Sequence, residues 1–143
     1  MLMKSISRVI AKVLIISLIF SSCDIGEDSD FQTSQVSRIL NANVPDTMFV
    51  GQTYTLDITY QKDSDCHTFS NLDYVNQGDS LIFVRAVTIF RQRADCNQEA
   101  ESVLEEIDFS NEQTSDFTFK FLQDVNSEGE IIYIDKEVTV LEE

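Results

Sequence analysis

SLIFVRAVTIF, Ser80 to Phe90, is apolar at even and odd positions alike: Ile82, Val84 and Ala86 have one parity, and Leu81, Phe83, Val87 and Ile89 the other. A run rich in β-branched and aromatic residues, with no polar face, predicts a central strand covered on both sides. The neighbouring segments have the period of two that marks half-buried strands. YTLDITY sets Tyr54, Leu56, Ile58 and Tyr60 on one face, FTFKF sets Phe117, Phe119 and Phe121 together, and EVTVLE alternates through Val138 and Val140. IIYID, Ile131 to Asp135, reads as a further strand after a turn around Asn126 to Gly129. In ESVLEEIDF the residues Val103, Leu104 and Ile107 fit a helical spacing while Ile107 and Phe109 alternate, so only its end is assigned as strand. About seven short strands at intervals of roughly ten residues predict an all-β antiparallel sandwich or a small barrel. Upstream, QTSQVSRILNA suggests one helical turn near Val36 to Leu40, and Pro45 marks entry into the first strand.

The chain has 143 residues, 43% of them apolar and 10% aromatic, with ten phenylalanines, no tryptophan, four glycines and one proline. That is the composition of a globular domain, and the length predicts one. Ten lysines and arginines stand against 25 aspartates and glutamates, a net charge of −15. Lys4, Arg8 and Lys12 precede an apolar run near the start, which leaves −18 from Cys23 onward. Such a charge repels phosphate backbones, so no nucleic-acid partner is expected.

MLMKSISRVIAKVLIISLIFSSC, Met1 to Cys23, has a basic start, an apolar centre from Val13 to Phe20, and small residues before the cysteine. These are the parts of a secretory signal peptide, and the uncharged stretch falls well short of the roughly 20 residues of a spanning helix. Phe20-Ser21-Ser22-Cys23 resembles the lipobox of bacterial lipoproteins. The resemblance implies cleavage before Cys23 and attachment of palmitate-type acyl chains to it. Each buried methylene adds about 0.8 kcal/mol to membrane anchoring. The acidic tail that follows, DIGEDSDFQTSQ, cannot bury enough apolar surface to fold and reads as a solvated tether. It is similar to the export signals of surface lipoproteins in Bacteroidota, which implies an outer-membrane location facing outward, with the periplasmic face as the alternative. The expected organisation is a leader over 1–22, a lipidated acidic tether over 23–43, and a sandwich domain over 44–143.

With Cys23 lipidated, Cys66 and Cys96 remain, and an exported chain meets an oxidising compartment. A disulfide between them is expected, adding roughly 3.5 kcal/mol on a chain-entropy argument. Cys66-His67-Thr68-Phe69, followed by GDSLIFVRA and then ADC with an acidic strand, looks like the small immunoglobulin-like lipoproteins of Bacteroidota. That resemblance covers about Val44 to Val140 and implies an immunoglobulin-like sandwich braced by the two cysteines. It brings no catalytic residues.

Several clusters invite a chemical reading. His67, the only histidine, neighbours Cys66 and could ligate zinc with Cys96 and Asp63 or Asp65, but no short-spaced ligand pair exists, and an exposed or satisfied strand-end histidine is the better expectation. In DVNSEGEIIYID, residues Asp124, Asn126, Glu128, Gly129 and Asp135 fall at calcium-loop positions. The flanks there are strand-periodic where that loop needs helices, so a hairpin turn with Gly129 at positive φ is expected. Carboxylate pairs such as Glu105 with Glu106, or Asp63 with Asp65, are too numerous to single out a hydrolytic pair. Arg85, Arg91 and Arg93 share strand parity and offer a basic stripe to an anionic ligand, or else pair with surrounding carboxylates. Asp46-Thr47-Met48 and Asp79-Ser80-Leu81 resemble short O-glycosylation sequons of Bacteroidota envelope proteins.

No pattern specifies a cofactor, a metal or a catalytic site. The expectation is a non-catalytic, lipid-anchored envelope protein that binds a glycan or another envelope protein. The alternatives are a structural accessory of an outer-membrane assembly and a small calcium- or ligand-binding barrel, whose interior ten phenylalanines would tend to fill.

Overall fold

The computed structural model describes residues 31–142, and the expected leader, Cys23 and the first part of the tether lie outside that range. Nine strands make up the described fold: β1 (Gln32–Ser37), β2 (Ile39–Asn43), β3 (Thr47–Phe49), β4 (Thr53–Lys62), β5 (His67–Gln77), β6 (Leu81–Arg91), β7 (Glu101–Ser110), β8 (Phe117–Val125) and β9 (Ile131–Leu141). They form two sheets that enclose one core, an all-β sandwich.

The SLIFVRAVTIF segment is β6, the spine of the larger sheet. Strand β5 pairs along its whole length on one side. On the other, β8 pairs with Leu81–Val84 and β1 with Ala86–Arg91. The sheet continues through β9 to the short β3. Ile82, Val84, Ala86 and Thr88 point into the core and are buried. The opposite face of β6 is not covered by a second layer among the described residues: Phe83, Val87 and Ile89 are half-buried by cross-strand neighbours only. The doubly covered strand expected from the sequence is therefore corrected to one covered on one face. Two pairings are parallel, β6 with β8 and β3 with β9, so the sandwich is mixed rather than purely antiparallel.

The smaller sheet runs β2–β4–β7. Leu56, Ile58 and Tyr60 of β4 face inward, as their alternation predicted, and meet Phe119 and Phe121 from the larger sheet in one core cluster. Aromatic rings bridge the two layers: Tyr60 lies 5.4 Å from Phe69, Tyr74 5.7 Å from Phe109, and Phe109 5.0 Å from Phe119 at an interplanar angle of 77°. Offset and edge-on contacts of this kind add to the burial of the rings themselves.

Two strands precede the boundary expected at Val44, and residues 32–43 belong to the sandwich rather than the tether. The chain pairs with β6 as β1, crosses at Arg38, and pairs with β4 as β2, with Gln61 N–H donating to the Arg38 carbonyl at 2.9 Å. No helical turn forms here. The inward residues of β1 are polar, Ser37 bonding Thr88 at 3.0 Å and Gln35 bonding His67, so the alternation carries no apolar signal. In β2 a register shift between Ile39 and Asn41 turns both Ile39 and Ala42 inward, which mimics a helical spacing of three.

The whole of ESVLEEIDFS is strand, not only its end. Leu104 faces outward and Glu105 inward, opposite Thr59 and Ile58 respectively, and this exchange of polarity is what disguises the period of two. Between β8 and β9 the expected turn is present: Asn126 Oδ1 accepts the Glu128 and Glu130 amides, and Gly129 has φ +84.

Candidate functional site

The site with most to offer a partner is the outer face of the larger sheet. The register places Val36 opposite Val87, Val75 opposite Phe83, and Tyr133 opposite Leu122, all directed away from the core. Val36 is 50% exposed and Val75 47%. Phe83 and Tyr133 meet edge to face at 5.3 Å, and the Lys120 ammonium lies 5.6 Å from the Tyr133 ring. The two rings pack edge to face on one another and Lys120 lies over the Tyr133 ring, so a ring face on which a sugar could stack is already engaged. The result is an apolar strip across five strands whose charges are internally paired: Arg85 with Asp73, and Lys120 with Asp135 at 2.7 Å.

Arg85 is the only one of the three predicted arginines within that strip. Arg91 ends β6 and donates from Nε to Gln32 Oε1 at 3.2 Å. Arg93 lies beyond the strand, 3.8 Å from Asp65 and 3.6 Å from Asp95. Arg91 and Arg93 line a small cavity of about 220 Å³ together with Asp65, Cys66 and Thr68. The structure therefore divides the predicted stripe into one strip position and two positions at the disulfide end, with Arg85 and Arg93 each beside a carboxylate.

Cys66 and Cys96, 30 residues apart, form the disulfide, with a Cα–Cα separation of 5.6 Å. It joins the corner before β5 to the loop between β6 and β7, where the Asp65 amide donates to the Asn97 carbonyl at 3.2 Å and the Asn97 amide donates to the Asp65 carboxylate at 2.9 Å. Asp65 stands beside both sulfurs, but sulfurs joined to each other are not thiolate ligands for a metal. His67 opens β5, buried against Phe90, with Nδ1 2.7 Å from Ser64 Oγ and Nε2 2.8 Å from Gln35 Oε1. Both ring nitrogens are occupied by uncharged partners, as a satisfied strand-end histidine requires.

The calcium-loop residues are not drawn into one cage. Asp124 is engaged by Arg38, Asp135 by Lys120, and Asn126 by the turn amides. The Val125 amide and the Arg38 guanidinium hold the Asp124 carboxyl below its ordinary range. Tyr60 is raised by burial and then by Glu105 and Glu101, and burial pushes Tyr74 up to about 12. Thr47 and Ser80, the sequon hydroxyls, are exposed at the start of β3 and in the β5–β6 turn. Sequence reasoning missed the strip because its members come from β1, β5, β6, β8 and β9, and only cross-strand register unites them.

Comparison with protein-family models, with curated proteins and with solved structures returned no match.

Proposed function

We propose that this chain is a non-catalytic, lipid-anchored protein of the cell envelope, held at the outer membrane through Cys23 and displayed on the cell surface, where its immunoglobulin-like sandwich binds another envelope protein. The lipobox-like run before Cys23 and the acidic tail after it support the anchor and the location. The observation that carries the binding role is the apolar strip on the outer face of the larger sheet. Exposed apolar residues gathered on one sheet face of an otherwise strongly acidic domain suit an interaction site. Mutual packing of Phe83 and Tyr133 favours a protein partner over a glycan.

The test has two parts. Incorporation of an alkyne-tagged palmitate, with membrane fractionation and protease shaving of intact cells, is compared between the native chain and Cys23→Ala. Labelling and surface digestion of the native chain alone are expected, and an unlabelled, soluble native chain overturns the anchor. Photo-crosslinking residues are then placed at Val36 and Val75 on the strip and at Thr55 and Thr59 on the smaller sheet. Crosslinks to one envelope protein from the strip positions only are expected; equal labelling from both faces overturns the binding role.

A further inference from the structure

Strand β7 hydrogen-bonds to β4 alone, so on its other side the main-chain N–H and C=O groups of Glu101–Ser110 have no strand partner among the described residues. Such an edge is a template for a further strand unless something blocks it. Most of the other edges carry blocks, and β1, which pairs with β6 alone, offers a shorter edge of 6 residues. Strand β5 has a register shift between Phe69 and Asn71, β2 one between Ile39 and Asn41, and β3 is only 3 residues long. Where β9 runs beyond β3 it directs Lys136 inward, opposite Phe119. Strand β7 pairs with β4 through ten consecutive residues without a shift and contains no lysine and no proline.

What β7 carries instead is negative charge. Glu106 and Asp108 face outward, Glu105 inward, and Glu112 follows the strand; none of these forms an ion pair among the described residues. Leu104, 58% exposed, sits between them. A second copy of β7 would set carboxylate against carboxylate, which cross-strand pairing penalises, whereas a strand bearing cations would be drawn in. Beside the edge, between β7 and β5, lies a cleft of about 280 Å³ lined by Tyr74, Ile82, Phe109, Asp108 and Glu112. Rings and an aliphatic side chain with two carboxylates suit a lysine or arginine, whose methylene stem covers apolar surface while its head meets the acids. The Tyr74 hydroxyl is buried there without a hydrogen-bond partner among the described residues.

We propose that the β7 edge is a docking site for an extended lysine- or arginine-bearing segment of a partner protein, which joins the smaller sheet as a fourth strand. This surface is separate from the strip on the larger sheet and does not depend on it. The probe is a ten-residue peptide alternating lysine with valine, added to the whole chain beside its glutamate counterpart. Two further versions are N-methylated at every second amide, one in each register. Binding of the lysine peptide with slowed amide exchange along Glu101–Ser110 is expected, as is at least tenfold weaker binding by the methylated version that blocks the pairing register. The triple variant E105Q/E106Q/D108N should also bind at least tenfold more weakly, and the glutamate peptide should not bind. Lysine-peptide binding that leaves β7 exchange unchanged, equal binding by both methylated versions, or no binding of the lysine peptide overturns the proposal.

Discussion

The two outer faces of this sandwich are built on one core and are unlike in every other respect. The larger sheet shows solvent Val36 and Val75 beside half-buried Phe83 and Tyr133, with neighbouring charges matched as Arg85–Asp73 and Lys120–Asp135. The smaller sheet shows Thr53, Thr55 and Thr59 on β4, and carboxylates that meet no cation among the described residues: Asp57 lies directly opposite Glu106, with a 3.0 Å bond from Asn43 Nδ2. Charges are paired where the surface is apolar and left open where it is hydrated. The inner faces are equally aromatic and aliphatic, so core packing does not dictate what a sheet presents outward. That choice is made by the residues of opposite parity.

The comparison presumes that both faces ride on one cooperative unit, and Phe119 is the place to break it. Its ring is fully buried and meets Phe109 of the smaller sheet and Phe117 and Phe121 of its own strand. Phe119→Ala is expected to cost about 3–5 kcal/mol. Hydrogen exchange should show both sheets opening together; survival of one sheet would mean that the faces belong to separate units. The disulfide gives the next largest effect. Replacing Cys66 and Cys96 by serine should lower stability by roughly 3.5 kcal/mol on the chain-entropy argument, read by chemical denaturation. Because the bridge ends on the loop leading from the larger sheet to the smaller, β5 and β7 amides should lose protection before β8.

Much of this arrangement is legible in the sequence because the inward residues of β4 and β8 are uniformly apolar and alternate strictly. The Gly129 turn is legible from its local chemistry, and the Cys66–Cys96 bridge from the cysteine count together with the expected oxidising compartment. Legibility fails where parity and polarity part company. In β1 the inward positions are Gln35 and Ser37, satisfied by His67 and Thr88 from distant strands, and no local window reveals that. In β2 the bulge resets the period, and in β7 Leu104 and Glu105 exchange the expected places. The apolar strip is a property of register between five strands, which sequence spacing along any one of them does not contain.

Tyr74 lies at the seam between the faces, packed on Phe109, and its hydroxyl is buried without a partner among the described residues. Tyr74→Phe removes an unsatisfied group while keeping the ring, so a gain of about 1 kcal/mol is expected in denaturant titrations. The pH dependence has a definite sign. Burial raises the folded pKa from 10.0 to about 12, so the unfolded chain loses this proton first as pH rises. The stability tied to it is intact below pH 10 and is lost between there and about 12. The Tyr74→Phe variant should therefore lose less stability than the native chain across that window.

The smallest effect tests the contrast between the faces most directly, because it predicts opposite signs. Glu106→Gln on the smaller sheet removes one of two carboxylates set directly against each other, and should stabilise by about 0.5 kcal/mol at low ionic strength. Asp73→Asn on the larger sheet removes the partner of Arg85, and should destabilise by a similar amount, about 0.5 kcal/mol. Both are exposed pairs, so both differences should shrink toward zero as added salt shortens the Debye length. Two changes that each delete one negative charge from an acidic protein alter its net charge equally. If the two variants shifted stability in the same direction, net charge alone would account for them and the local pairing would not matter; opposite shifts that salt abolishes require the pairing itself to differ between the faces.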